Sequence, residues 1–227
     1  MSVKIQPKGG FVAHQISPEE ILLQQLTTIV LTDALPPESH MPAYLYTQTS
    51  DNQGSVFVPA IRLSLSGGVS QLLILDDADG TNKGYPGSYP WITHFVSCGV
   101  RREKINMVPC FEPLNTFSES LALMKYAQHH HLSKLCIIAP PFHLPRAFIS
   151  AVSAAYDVGV PTLKIYCQVG ATLPWAETVA HSQGTLRGTR RQLIATELQR
   201  IHTYEAKGDL VSITRALQYL EWRDSGS

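Results

Sequence analysis

Short apolar runs alternate with amphipathic segments along this chain. An apolar run of four to eight residues, bounded by turn residues, is typical of a buried strand. Such runs predict strands over residues 26–31, 71–75, 104–108, 135–139 and 162–167. Apolar residues at helical spacing predict helices over 91–98, 115–131, 144–156, 192–202 and 210–222. Ser17-Pro18-Glu19-Glu20 predicts the start of a further short helix that ends near Gln25.

The alternation of strands and helices determines the expected fold class. It predicts an α/β protein with a mainly parallel sheet that is covered by helices on both faces. Pro59 argues against a central strand within 56–65, whose structure the pattern leaves open. The segments 32–51, 79–89 and 168–188 are predicted as loops longer than connections usually need, and such loops are commonly functional.

Composition and charge exclude several classes of function. The chain has 227 residues with 18 basic and 18 acidic side chains, and this balance argues against a nucleic-acid partner. No run of about 18 apolar residues predicts a membrane span, and the first residues lack the apolar stretch of a secretory signal. The four scattered cysteines are interpreted as thiols of a reducing compartment, not as disulfides or zinc ligands. We therefore expect a cytoplasmic protein without a metal site.

The most informative polar residues follow the strand predicted over 135–139. That strand ends at Pro140-Pro141, and His143 and Arg146 come next, where a helix should begin. Ligands of open α/β sheets bind beyond the carboxyl ends of the strands, and a helix N-terminus there offers free N–H groups. Arg146 could bind a phosphate or carboxylate, and His143 could act as a general acid or base. The alternative is a helix-capping histidine beside a surface arginine.

A second group of polar residues lies at the start of the helix predicted over 115–131. Asn115, Thr116 and Glu119 belong to the run Asn-Thr-Phe-Ser-Glu-Ser, in which Asn115 or Thr116 can cap the helix. The run is therefore either part of a binding site or only a helix cap.

Acidic residues follow two predicted strands. Asp33 comes just after the run 26–31, and Asp76 and Asp77 follow the run 71–75. Carboxylates at strand ends can hold a metal, a ribose hydroxyl or an amino group. A solvated acidic turn is the simpler interpretation of Asp76 and Asp77.

Together, Asn115-Thr116 at a helix start and Phe142-His143-x-x-Arg146-Ala147 after a strand resemble the YdcF/SanA/ElyC-like family, the "domain of unknown function 218" group. The match is best over residues 100–159 and extends with poorer motifs over 26–204. The resemblance implies a Rossmann-like three-layer α/β/α sandwich, here one domain over 1–227 with the helices of 190–222 packed on it. It also implies a nucleotide-like ligand, with S-adenosylmethionine as one candidate, and a pocket containing Asn115, Thr116, Glu119, His143 and Arg146.

The chain departs from the family pattern at three strand ends. Leu31-Thr32-Asp33 stands where the family has a glycine-bearing end, Asp76-Asp77 replaces Ser-Gly-Gly, and Ala139-Pro140-Pro141 replaces Thr-Ser. The membrane anchor of other family branches, which are linked to cell-envelope metabolism, is also missing. These differences suggest a divergent member with its own ligand.

Three functional hypotheses follow. The first is binding of a nucleotide-like or phosphorylated small molecule by Asp33, Asp76, Asp77 and the two later groups of polar residues. The second is a hydrolase or transferase acting on a phosphorylated or envelope-type substrate, with His143 in the chemistry. The third is a non-catalytic adaptor with a vestigial pocket, whose long loops or C-terminal helix, with Tyr219, Leu220 and Trp222, bind a protein.

Overall fold

The computed structural model describes residues 16–37, 40–77, 84–111, 113–181 and 186–226. Its helices and strands follow in the order α1 (Pro18–Leu31), β1 (Ala43–Leu45), α2 (Gln53–Leu65), β2 (Leu72–Asp76), α3 (Ser88–Ser97), β3 (Ile105–Pro109), α4 (Thr116–His129), β4 (Lys134–Ala139), α5 (Leu144–Val158), β5 (Lys164–Val169), β6 (Thr178–His181), β7 (Leu186–Thr189), α6 (Arg190–Lys207) and α7 (Ile213–Asp224).

Five strands form one parallel sheet in the order β3-β2-β1-β4-β5. In its centre, Ala43 of β1 is in register with Leu72 of β2 and Cys136 of β4. Helices cover both faces, so the predicted α/β class and the Rossmann-like three-layer arrangement are confirmed. Among the described residues, no helix is long and apolar enough to cross a membrane.

Alternate residues of the strands face two separate cores. Tyr44 and Tyr46 pack with α1, α4, α5 and α7, whereas Ala43 and Leu45 pack with α2 and α3 on the other face. Both side chains of each pair are fully buried. A strand that is buried on both faces reads as a continuous apolar run, which is why the sequence predicts the strands of 71–75, 104–108, 135–139 and 162–167 correctly.

The prediction of a strand over 26–31 is wrong, because these residues continue α1. Ser17 and Glu20 form a capping box at its start, and Leu23, Leu26 and Val30 recur at helical spacing and are buried. Burial of this face outweighs the weak strand preference of the β-branched residues between them. The first strand is instead β1, three residues long and within the segment predicted as a loop.

The segment that the pattern leaves open is α2, and Pro59 lies inside it. A proline in a helix has no N–H to donate to the carbonyl four residues earlier, here that of Ser55. The Ser55 carbonyl accepts instead from the Ala171 N–H at 2.7 Å, and the Ser55 hydroxyl donates back to the Ala171 carbonyl. The proline thereby frees an acceptor that ties α2 to the chain following β5.

The predicted loop over 168–188 contains the antiparallel pair β6 and β7. This hairpin covers the start of α2, since Thr49 and Asn52 both donate to the Ala180 carbonyl and Asp51 accepts from the Ala180 N–H. Arg190, buried at the start of α6, adds a bond to Asn52. Part of this segment, 182–185, lies outside the described residues, as does the part 79–83 of the loop predicted over 79–89.

Candidate functional site

A cavity of about 480 Å³ lies at the carboxyl ends of β1 and β4. From β1 the chain proceeds outward through β2 to β3, and β4 then returns to the other side of β1. The crevice between β1 and β4 is therefore the point where the strand order reverses, which is where open α/β sheets bind ligands. The lining residues are Thr47, Gln48, Thr49, Tyr85, Pro113, Leu114, Asn115, Thr116, Phe117, Glu119, His143, Arg146, Ser150, His181, Arg200, Tyr204, Asp209 and Leu210.

The N-terminus of α4 forms one wall of the cavity. The Asn115 side chain caps this helix by accepting from the N–H groups of Phe117 and Ser118, and the Ser118 hydroxyl accepts from the Asn115 N–H. The predicted cap is thus real, and it is completed by Ser118. Asn115, Thr116 and Glu119 also line the cavity, so the cap and the pocket occupy the same turn.

Glu119 is a buried carboxylate in this wall, with 2% of its surface exposed. Its Oε1 accepts from the Tyr44 hydroxyl and the Thr47 N–H, each at 2.8 Å, and its Oε2 accepts from the Thr47 hydroxyl at 3.0 Å. Burial raises the pKa of Glu119 to about 7, although these hydrogen bonds and Arg146 act in the opposite direction. A carboxyl group with this pKa can both accept and release a proton near neutral pH.

His143 comes directly before α5 and faces the same cavity. Its side chain makes no capping bond, which excludes the interpretation of a capping histidine. Gln48 Nε2 lies 3.3 Å from His143 Nδ1 and 3.4 Å from the Tyr46 carbonyl, so the amide donates to both. His143 Nδ1 is then the acceptor, and the ring proton is on Nε2, 3.4 Å from the Thr116 hydroxyl.

The protonation of His143 changes its expected role. Burial, followed by the nearby Arg146 charge, lowers the pKa of His143 to about 3. The imidazole is therefore neutral at pH 7 and presents its Nε2 proton toward Thr116. It is suited to donating a hydrogen bond, and it is a poor general base.

Arg146 belongs to a buried charge cluster, which excludes the interpretation of a surface arginine. Its Nε and Nη2 donate to Glu197 at 2.5 and 3.2 Å, and only 4% of Arg146 is exposed. Glu197 Oε1 also lies 2.6 Å from His181 Nε2 and 3.2 Å from Arg200 Nη1. Burial alone would raise the pKa of Glu197, but the Arg146 charge and the His181 hydrogen bond hold it well below its ordinary value. One carboxylate therefore lies between two guanidinium groups, and the cavity lining also includes the carboxylates of Glu119 and Asp209.

The sequence interpretation missed two sets of residues at the site. His181 and Arg200, which line the cavity, and Glu197, which pairs with both, come from β6 and α6. No local pattern links them to Arg146, since Glu197 is 51 residues away. Thr47 and Gln48 were missed because β1 was assigned to the wrong segment. The signal that could have found them is the polar run Thr-Gln-Thr, which directly follows Ala-Tyr-Leu-Tyr.

The structure does not bring the three predicted aspartates to this cavity. Asp33 follows a helix instead of a strand, and it accepts two hydrogen bonds from Arg223, at 2.6 and 2.9 Å, and one from the Cys167 N–H. It therefore fixes α7 to β5. Asp76 ends β2 and is exposed, and Asp77 is buried near Ser88 of α3, whose N–H donates to its carbonyl. Neither residue lines the cavity, whereas Tyr85, which follows them in the chain, does.

Two of the three residues that the adaptor hypothesis names on the C-terminal helix are buried, and the third, Trp222, is partly buried. Tyr219 and Leu220 are 2% and 3% exposed, and both pack in the core. The Tyr219 hydroxyl binds the backbone at Leu163 and Ile165. This face of α7 therefore completes the fold and is not available to a partner.

Among the described residues, no group of three or more His, Cys, Asp or Glu side chains is placed to hold a metal ion. Comparison of the chain with models of protein families, with curated proteins and with solved structures finds no match. The resemblance to the YdcF/SanA/ElyC-like family therefore remains a prediction based on its motifs.

Proposed function

We propose that this protein binds a small anionic molecule, nucleotide-like or phosphorylated, in the cavity between β1 and β4. The observation that carries the proposal is that three features of an anion site occur together at this cavity. The cavity lies where the strand order reverses, it is bordered by the N-termini of α4 and α5, and it contains two arginines around one carboxylate. Helix N-termini and arginine side chains both favour phosphate or carboxylate groups.

The two arginines have different roles in this proposal. Arg146 is held by Glu197 through two hydrogen bonds and orients the cluster, so it acts mainly by positioning. Arg200 shares the same carboxylate through a single nitrogen and is more exposed, with 24% of its side chain accessible. We therefore assign contact with the anion to Arg200, and hydrogen bonds from the His143 and Thr116 side to the rest of the ligand.

The test is thermal stabilisation by inorganic phosphate, ribose 5-phosphate, AMP and S-adenosylmethionine. A probe at 100 times its Kd adds about 2.7 kcal/mol to the free energy of unfolding, which is easily detected. We expect Arg200→Gln to weaken phosphate binding about tenfold or more, because a charge-assisted hydrogen bond is lost. Arg191→Gln is the matched control, since Arg191 is exposed on the same helix and does not line the cavity. No stabilisation of the wild type by any probe would contradict the proposal.

Hydrolysis or group transfer on a phosphorylated substrate is the second candidate function. The observation that favours it is Glu119, whose pKa of about 7 suits a general base in the cavity. Release of inorganic phosphate from the probes that bind would reveal turnover. Turnover that survives in Glu119→Gln would exclude this role, whereas turnover that is lost while binding persists would support it.

A further inference from the structure

The Tyr85 hydroxyl is a buried polar group in the cavity wall for which the described part of the chain offers no hydrogen-bond partner. Tyr85 lies between β2 and α3, and 4% of it is exposed. Among the described residues nothing forms a hydrogen bond with its hydroxyl. Buried hydroxyl groups are nearly always hydrogen-bonded, so an unpaired one that lines a cavity needs an explanation.

Packing holds the Tyr85 ring in this position. The ring meets Trp91 edge-on, with the centroids 4.9 Å apart and the planes at 84°. Trp91 is itself fixed by a hydrogen bond to Gln53 and by an edge-on contact with Phe57. The hydroxyl group therefore cannot move to another partner without disturbing an aromatic cluster.

The surroundings of Tyr85 determine what kind of group it can bind. Burial raises the pKa of Tyr85, and the carboxylates of Glu119, Asp77 and Asp76 raise it further, so the phenol keeps its proton and can donate it. These acidic neighbours disfavour an anion at this end of the cavity. The region differs in charge from the side that contains Arg146 and Arg200.

Glu119 has one acceptor position that its protein partners leave open. A carboxylate offers about four lone-pair positions. Oε1 accepts two hydrogen bonds and Oε2 accepts one, from Tyr44 and Thr47. A ligand hydroxyl can accept from the Tyr85 phenol and donate to the remaining position of Glu119. An ammonium group could only donate, and a fully ionised phosphate could only accept.

We propose that Tyr85 and Glu119 form a subsite that recognises a hydroxyl group of the ligand. This inference rests on the proposed function, in which the part of the cavity near Arg146 and Arg200 binds an anionic group. Together, the two groups of residues select a molecule that carries both an anionic group and a hydroxyl group. A sugar phosphate or the ribose phosphate of a nucleotide has this chemistry, and a bare anion does not.

The test compares ethyl phosphate, which has no free hydroxyl, with ribose 5-phosphate by titration calorimetry. We expect the wild type to bind ribose 5-phosphate more tightly. Tyr85→Phe should weaken ribose 5-phosphate binding about tenfold, the effect of one hydrogen bond to a buried partner, and leave ethyl phosphate binding unchanged. Tyr89→Phe is the matched control, because Tyr89 is 58% exposed and does not line the cavity.

The stability of the ligand-free variant is an independent check. Tyr85→Phe removes a hydroxyl group that has no partner among residues 16–37, 40–77, 84–111, 113–181 and 186–226, so we expect an unchanged or higher Tm. A clearly lower Tm would show that the hydroxyl is bonded within the free protein, and it would overturn the proposal. An equal loss of affinity for ethyl phosphate and for ribose 5-phosphate in Tyr85→Phe would overturn the proposal as well.

The failure of this subsite and the failure of anion binding give different results. If ethyl phosphate and ribose 5-phosphate bind equally well, the anion site stands and the hydroxyl subsite is overturned. If neither phosphate binds but free ribose or adenosine does, and Tyr85→Phe abolishes that binding, the subsite stands and the anion site does not. If none of these probes binds to the wild type, both proposals are overturned.

Discussion

Glu197→Gln is the most direct test of the charge cluster at the cavity. The substitution keeps the shape of the side chain and removes its negative charge. Glu197 is 2% exposed and pairs with Arg146, His181 and Arg200. A glutamine has only one oxygen to accept hydrogen bonds, so the variant leaves the buried Arg146 charge without a counter-ion.

The expected cost follows from this geometry. Removing one partner of a buried ion pair destabilises a protein by about 3–5 kcal/mol, because the remaining charge stays buried and unpaired. The retained amide oxygen places Glu197→Gln near the lower limit, at about 3 kcal/mol. This is a large part of the free energy of unfolding of a typical domain, which is about 5–15 kcal/mol.

Urea unfolding, followed by circular dichroism at several pH values, measures this difference. The pKa of Glu197 is lower in the folded protein than its ordinary value of 4.5. Its contribution is therefore fully present above about pH 4.5 and is lost as the pH falls toward the folded-state pKa. We expect a constant gap between the wild type and Glu197→Gln from pH 7 to pH 5.5, and a narrowing gap below pH 4.5.

The control is Glu103→Gln, which breaks an ion pair with Arg101 whose side chains are both 67% exposed. Such surface pairs contribute about 0–1 kcal/mol, so this variant should resemble the wild type. A loss below about 1 kcal/mol for Glu197→Gln at pH 7 would refute the reasoning, given the range for buried pairs. A gap that stays constant down to pH 3 would refute the role of the Glu197 charge.

Three further predictions concern other parts of the molecule. Asp33→Asn should lower the free energy of unfolding by about 2 kcal/mol, because Arg223 loses its buried carboxylate partner and keeps only Asp224, whose side chain is 56% exposed. The substitution should leave phosphate affinity unchanged; weaker phosphate binding in calorimetry would return Asp33 to the ligand site. Gly170→Ala should cost about 1–3 kcal/mol in urea unfolding, since an added Cβ would lie 2.5 Å from the Ser55 hydroxyl oxygen and 2.9 Å from the Ala139 carbonyl oxygen; wild-type stability would contradict this close approach. The pKa of Glu119 is raised to about 7 in the folded protein from its ordinary value of 4.5. The contribution of Glu119 to the free energy of unfolding is therefore fully present below pH 4.5 and is lost as the pH rises to about 7. Between pH 4.5 and pH 8 the stability of Glu119→Gln relative to the wild type should therefore improve by about 3 kcal/mol, and a pH-independent difference would exclude the shifted pKa.

Part of the candidate site could be predicted because its residues lie close together along the chain. Asn115, Thr116 and Glu119 occupy one helical turn, and His143 and Arg146 occupy another. Each turn is marked by a local sequence signal. The first turn begins with a helix cap, and the second follows a strand that ends at two prolines. The topology of the sheet then brings both turns to the edge that parallel strands share.

The rest of the site depends on contacts between distant segments. Asp33 and Arg223 are 190 residues apart, and no local pattern distinguishes a carboxylate that pairs with such a partner from one that binds a ligand. The protonation state of His143 likewise depends on burial by several elements, and burial changed its expected role from general acid or base to a neutral hydrogen-bond donor.

The sequence by itself determined the α/β class, four of the five strands of the sheet and the helix starts that border the cavity, because strand and helix periodicity and capping are local properties. The tertiary structure alone decided that residues 26–31 are helical and that three residues at 43–45 form the central strand. It also decided that Glu197 neutralises Arg146 and that the Tyr85 hydroxyl has no partner in the part of the chain that the structure describes. The physical reason is that burial and ion pairing depend on which segments pack together, and local preferences of about 1 kcal/mol or less per residue are too small to oppose them.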